Sequence, residues 1–182
     1  LYGWQWDPEP PREDELRLIG GVVVQSVRPI LVQGVNLSDW PDWESYHRAI
    51  SENVRRNVKK AEKRYENLSF AVVTGLSTLR HVPELVRLRR EMYERKDVKF
   101  RTVRTLLGQV AHILVCPRQA MVAIATGDGR VLAIQEYVEF TDLSYYLNGA
   151  AGHDADGAAW FLQMAMLRRA YDRAPTGKML LG

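Results

Sequence analysis

Ala120-Met121-Val122-Ala123-Ile124-Ala125, the turn Gly127-Asp128-Gly129, and Val131-Leu132-Ala133-Ile134-Gln135-Glu136-Tyr137-Val138 decide the fold. Both runs are short, apolar and rich in β-branched residues, and glycines bracket an aspartate between them. That pattern predicts two antiparallel strands joined by a hairpin. Leu143 to Leu147 predicts a third strand, and residues 149–157, Gly-Ala-Ala-Gly-His-Asp-Ala-Asp-Gly, a loop of small residues. Downstream the period lengthens. Phe161, Leu162, Ala165, Met166 and Arg169 fall on successive turns of a helix from Ala158 to Arg173, and Lys178 to Leu181 begins a last strand.

Working back toward the N-terminus, Leu68 to Thr74 reads as a strand. It is followed by helices from about Leu79 to Lys96 and from Val103 to Val115. Leu85 and Leu88 face inward on the first; Pro83 fits only in its opening turn, and Pro117 ends the second. Tyr46, Ile50, Val54, Val58, Ala61 and Tyr65 recur at spacings of three and four, which predicts one helix over 43–65 with Asp39 or Asp42 as its cap. Arg55, Arg56, Lys59, Lys60, Lys63 and Arg64 occupy its other side. Two short strands are expected at Val22-Val23-Val24 and Ile30-Leu31-Val32. Residues 1–20 read as an acidic, Pro-rich lead-in, with a single domain over 21–182. Strands, helix, strand, two helices, an antiparallel run, helix and strand make an α+β layer with a central sheet.

Composition narrows the class. The 182 residues carry a net charge of +3, are 46% hydrophobic and include a single cysteine, Cys116. One cysteine excludes an internal disulfide and a cysteine zinc cluster, and no apolar run is long enough to span a bilayer. A cytoplasmic location is expected, with Cys116 as a small buried hydrophobe. No His pairs with another His, Cys or carboxylate at metal-ligand spacing, so no metal is expected. Neither a Gly-x-Ser-x-Gly elbow nor a phosphate-binding P-loop is present, which sets aside hydrolase and nucleotide-hydrolysing chemistry.

Three segments in order resemble a known superfamily: the basic run Ser51-Glu52-Asn53-Val54-Arg55-Arg56-Asn57-Val58-Lys59-Lys60-Ala61, the hairpin Met121–Phe140, and Leu143-Ser144-Tyr145-Tyr146-Leu147-Asn148-Gly149-Ala150 with the helix after it. They are similar to the GNAT acyltransferases, in particular the FemAB-like and CelD-like branch. The resemblance implies the GNAT fold, a mostly antiparallel central sheet that splays in its middle, with helices on both faces. It implies transfer of an acyl group from acyl-CoA (acetyl-CoA) to a small-molecule or peptide acceptor through an amine or hydroxyl. The alternatives are aminoacyl transfer from tRNA and a non-catalytic module that holds nucleic acid or an acidic partner. The family's late tyrosine would fall beyond Gly182, so the domain is expected to continue past it.

The resemblance gives particular residues roles. Gly149, Ala150, Ala151, Gly152, Gly157 and Ala158 would receive the donor's pyrophosphate, since a helix start offers unpaired N–H groups and a positive dipole end. Asp154 and Asp156 break the family's pattern there; either they cap the helix and face away or they repel phosphate. Glu136, on an apolar strand face with Leu132, Ile134 and Val138, is the candidate base, with Glu139 as fallback; a solvated edge position is the other reading. Tyr146 and Asn148 are candidates to hold the acyl carbonyl or acceptor. Arg55, Arg56, Lys59 and Lys60 bind a phosphate, tRNA or an acidic acceptor, or else form a solvated face.

Overall fold

The computed structural model describes residues 15–19, 22–26 and 33–181, with side chains over 33–181. The chain divides into two compact units, residues 1–33 and 34–182. In the first, β1 (Glu15–Ile19) pairs antiparallel with β2 (Val22–Ser26). The strand expected at 30–32 and most of the lead-in lie outside the described residues.

The second unit is built on a six-stranded sheet of order β3-β8-β7-β6-β5-β4. Its strands are β3 (Gln33–Asn36), β4 (Ser69–Thr74), β5 (Ala120–Gly127), β6 (Arg130–Glu139), β7 (Leu143–Ala151) and β8 (Lys178–Leu181). β4 to β7 run antiparallel to their neighbours, and β8 lies parallel to β7. The hairpin turn comes out as its sequence requires: Asp128 and Gly129 both have positive φ, at 53° and 73°, the backbone of a two-residue type I′ loop.

Among the described residues, five helices flank the sheet. α1 (Trp43–Ala49), α2 (Glu52–Arg64), α3 (Val82–Arg95), α4 (Thr102–Val115) and α5 (Ala158–Arg173) are joined by two 3-10 turns, Leu37–Asp39 and Gly75–His81. The single helix expected over 43–65 is two. Ser51 ends the first by capping the second: its hydroxyl accepts from Val54 N–H at 3.4 Å, while Ile50 is extended. A serine that satisfies a helix start competes with helix continuation through itself. Asp42 caps α1 through Ser45 N–H at 2.6 Å. The apolar stripe survives the break, and Tyr46, Ala61 and Tyr65 are buried in it.

The sheet separates two cores. On one face Met121, Ala123, Ala125, Ala133 and Tyr137 pack with Ala61 of α2 and with Leu162 and Met166 of α5. On the other, Val122, Ile124, Ile134 and Ala150 pack with Leu85 and Leu88 of α3, and Ile113 of α4 joins Val82, Val86 and Ala120. Helices on both faces of a mostly antiparallel sheet is the expected architecture. Cys116, half-buried, follows the last turn of α4 and is not a core residue.

Two register shifts matter. Ala125 opposes Ala133 while Thr126 opposes Val131, so Leu132 is one residue extra in β6. Glu136 opposes Asn148 while Tyr137 opposes Tyr146, so Leu147 is extra in β7. Each extra residue reverses the in-out alternation of its strand. Leu132 therefore joins the α5-side core, away from Ile134 and Glu136, with which strict alternation had grouped it.

Leu162 is fully buried at the α5–sheet contact. Leu162→Ala is expected to cost about 2–5 kcal/mol, read as a fall in denaturation midpoint. Trp160→Ala, two residues away on the outer side of the same helix and 44% exposed, should leave it nearly unchanged. Equal effects from the two would contradict this packing.

Candidate functional site

The site is set by the bulge at Leu147. Without it, Tyr146 and Asn148 would share a face, being two residues apart. With it they part. Tyr146 lies opposite Tyr137, ring edge to face at 5.6 Å, on the α5 side. Asn148 lies opposite Glu136 on the α3 side. The two candidates for holding the acyl carbonyl or acceptor, Tyr146 and Asn148, thus lie on opposite faces of the sheet.

Glu136 is 3% exposed, so the solvated-edge reading does not hold: β6 lies between β5 and β7, inside the sheet. Asn148 Nδ2 donates to Glu136 Oε2 at 2.5 Å. Arg89 Nη1, from α3, donates to Asn148 Oδ1 at 3.2 Å. Burial pushes the Glu136 carboxyl above its ordinary range, opposed by hydrogen bonds from Asn148 and from Gln109 of α4 and by the Arg89 charge. A carboxyl raised in this way is a stronger base than an ordinary carboxylate, the direction general-base catalysis favours. The fallback, Glu139, is tied to Arg169 Nη2 at 3.0 Å and to Arg173, an arrangement that holds α5 to the sheet.

On the opposite face Tyr137 donates to Gln135 Oε1 at 2.7 Å, and Gln135 Nε2 donates to the Ala159 carbonyl at 3.2 Å. This polar chain ties mid-sheet to the first turn of α5. Tyr146 beside it is half-buried, and burial raises its hydroxyl's pKa.

The small-residue segment is less of a loop than expected. Gly149, Ala150 and Ala151 remain in β7, opposite Gln135, Ile134 and Ala133. Gly and Ala are weak strand formers, but the neighbouring strand and the α3 contact at Ala150 override that preference. β8, which among the described residues ends at Leu181, pairs with β7 from Leu143 to Tyr146. Among the described residues, β6 is the one strand that pairs with Leu147–Ala151. The loop proper runs from Gly152. A Cβ added at Gly152 would make ordinary van der Waals contacts at 3.8 Å with Ala155, Leu88 and the Leu132 carbonyl. At Gly157 the reverse holds: its φ is +76°, and an added Cβ would drive into the Asn57 carbonyl of α2. Gly157 is required for close approach of two helices, and Ala158 is fully buried at the same contact.

α2 clamps this loop through its basic side chains. Asp156 takes Lys60 at 2.9 Å and Arg64 at 2.5 Å, and the Tyr65 hydroxyl donates to the Asp154 carbonyl. Asp154 itself pairs with His153 at 3.0 Å. Both carboxyls sit below the ordinary carboxylate range because of these partners. The four candidate anion-binding cations are not gathered into one site. Arg55 donates to the His47 carbonyl at 3.2 Å and to that of Arg48, at the end of α1. Arg56 donates to Asn53 at 2.9 Å, Lys60 serves Asp156, and Lys59 is exposed.

A cleft of about 330 Å³ opens between α3 and the β7–α5 loop, lined by Arg87, Glu91, Arg130, Gly152 and His153 among others. It shares Gly152 with the small-residue segment but is not lined by Glu136 or Asn148. Trp40 and Trp43 are half-buried in an aromatic group with Tyr46 and Tyr171, packed on the core as anchors. No described helix is long and apolar enough to cross a membrane.

Arg89 and Gln109 escaped the sequence reading. The signal was present for Arg89: it stands four residues after Leu85 and next to Leu88, inside an apolar stripe, where a cation needs a buried partner.

A family model described as an acetyltransferase (GNAT) domain matches residues 48–179. Among solved structures, FemX aligns with 83% of this chain and 52% of its own, at TM-score 0.63 and 12% identity. The C-terminal domain of a putative lysylphosphatidylglycerol synthetase from Agrobacterium fabrum aligns with 83% of this chain and 45% of its own, at TM-score 0.56 and 14% identity. L-PGS from Bacillus licheniformis aligns with 83% and 44%, at TM-score 0.56 and 15% identity. Such identities show a shared fold alone, and the chain spans about half the length of these proteins. No curated protein sequence matches it.

The raised Glu136 carboxyl has a consequence for stability. Between its unfolded value near 4.5 and its higher folded value, the native state holds a proton that the unfolded state has lost. Native stability therefore falls as pH rises through that window. Glu136→Gln removes this slope. Denaturation measured from pH 4 upward should show the variant gaining on the wild type as pH rises; parallel curves would contradict a buried, raised carboxyl.

Proposed function

The chain belongs to the GNAT acetyltransferase domain family, and we propose that it transfers an acyl group from acyl-CoA to an amine or hydroxyl acceptor, with Glu136 as general base. The observation that carries this is the buried Glu136 carboxyl, paired with Asn148 across adjacent central strands of a GNAT sheet. The acceptor's nucleophile gives its proton to Glu136 Oε1 or Oε2 as it bonds to the acyl carbon, and the thiolate of CoA leaves. Asn148 steadies the carboxylate through Nδ2. The acceptor approaches from the α3–α4 side, the face Glu136 occupies.

The donor's fit rests on the stretch of β7 from Leu147 to Ala151, which among the described residues β8 does not reach, and on the small side chains of Gly149, Ala150 and Ala151. The N–H groups of the first turn of α5 would receive the pyrophosphate. Asp156 does not oppose this, because Lys60 and Arg64 neutralise it. Tyr146 lines the α5-side approach to the same strand. The acceptor class is a small molecule or peptide, no metal takes part, and the protein acts in the cytoplasm.

A second reading is favoured by the likeness to FemX: aminoacyl transfer from tRNA, as the FemAB-like resemblance implies. Arg56 and Lys59, exposed on α2, would then meet the tRNA backbone. Steep loss of tRNA affinity with salt, abolished by Arg56→Ala with Lys59→Ala, would favour it.

Glu136→Gln is expected to lower kcat for acyl transfer from acetyl-CoA or a longer acyl-CoA by roughly 10²–10⁴-fold, while calorimetry still detects donor binding. Unchanged kcat in a folded variant removes Glu136 from the mechanism. Absence of any heat with every acyl-CoA removes the donor.

A further inference from the structure

The inward stripe of α3 carries one charge among its apolar residues. Arg89 stands beside Leu88, which is 1% exposed, and its own side chain is half-buried. Nη1 donates to Asn148 Oδ1 at 3.2 Å, and Asn148 Nδ2 donates to Glu136. A guanidinium has donors only and a carboxylate acceptors only. An amide between them satisfies both in a single orientation, carbonyl toward the arginine and NH2 toward the glutamate.

We propose that Arg89 is a positioning residue: by holding the Asn148 carbonyl it fixes the amide so that Nδ2 faces Glu136, which keeps Glu136 in its proton-accepting, ionised form. This rests on the reading of Glu136 as the base. The groups around Glu136 are Asn148 from β7, Gln109 from α4, Val122 opposite it on β5, and Arg89 from α3. Of these, Arg89 bears the charge. Without it the Asn148 amide is free to turn and offer Oδ1, an acceptor that pairs with a protonated carboxyl. The same change deletes the nearby cation. Both effects favour the protonated acid, and burial already pushes the same way.

The test is a 13C titration of the Glu136 carboxyl in the full chain without donor, with the resonance assigned from Glu136→Gln. In Arg89→Met the midpoint should rise by about 1–3 pH units. Arg89→Lys, which keeps a cation and a donor, should stay near the wild type. In an Asn148→Ala background the Arg89→Met shift should shrink, because the relay is already gone. The acid limb of kcat/KM should move with the carboxyl midpoint. An unchanged midpoint in folded Arg89→Met overturns the proposal. If that variant does not fold, equal midpoints in Arg89→Lys and Arg89→Gln overturn it instead. A carboxyl that shifts while the pH–rate profile stays put leaves the role of Arg89 intact and overturns Glu136 as the base.

Discussion

One extra residue in β7 organises the functional face of this molecule. A strand that pairs in register through Leu147 would place Asn148 among the α5-side core and leave the buried Glu136 carboxyl with Gln109 as its amide partner. A buried carboxyl that loses a hydrogen-bond donor is driven toward its protonated form. The bulge avoids this by turning Asn148 toward α3, where Arg89 completes the chain. It lies just beyond the last β7–β8 pair, Tyr146 with Leu181. One local irregularity thus places the carboxyl proposed as the base on one face, beside a stretch of β7 that among the described residues β8 does not reach.

Part of the charge of the basic helix α2 acts within the fold: Arg55 closes α1, and Lys60 and Arg64 hold Asp156. These ion pairs are exposed, and individually such pairs contribute little. Their value is geometric. They fix the loop that enters α5, together with the Gly157–Asn57 contact. Of the two aspartates that break the family's pattern, Asp156 is therefore matched by charges on α2.

Much of the fold was legible. The change of period at Ala120, the Asp128-Gly129 turn, and the stripes of α2, α3 and α5 report local rules, so they survive in one dimension. What was not legible depends on partners. The register shifts at Leu132 and Leu147 exist only relative to neighbouring strands. Continuation of β7 through Gly149–Ala151 reflects pairing with β6, against the residues' own preference. The division at Ser51 turned on whether one hydroxyl would cap or point outward. Glu136 was found because a carboxylate on an apolar strand face is costly. Arg89 followed the same logic on a helix, but its partner Asn148 lay 59 positions away, and its face was known only once the bulge was.

The central claim is that β7 from Leu147 to Ala151 seats the acyl donor beside Glu136. Amide hydrogen exchange with and without acyl-CoA tests it most directly. The account predicts slowed exchange at Leu147–Ala151 and in the first turn of α5, with the outer turns of α4 unaffected. Exchange that is unchanged at Leu147–Ala151 under saturating donor, or protection confined to another surface, would contradict it.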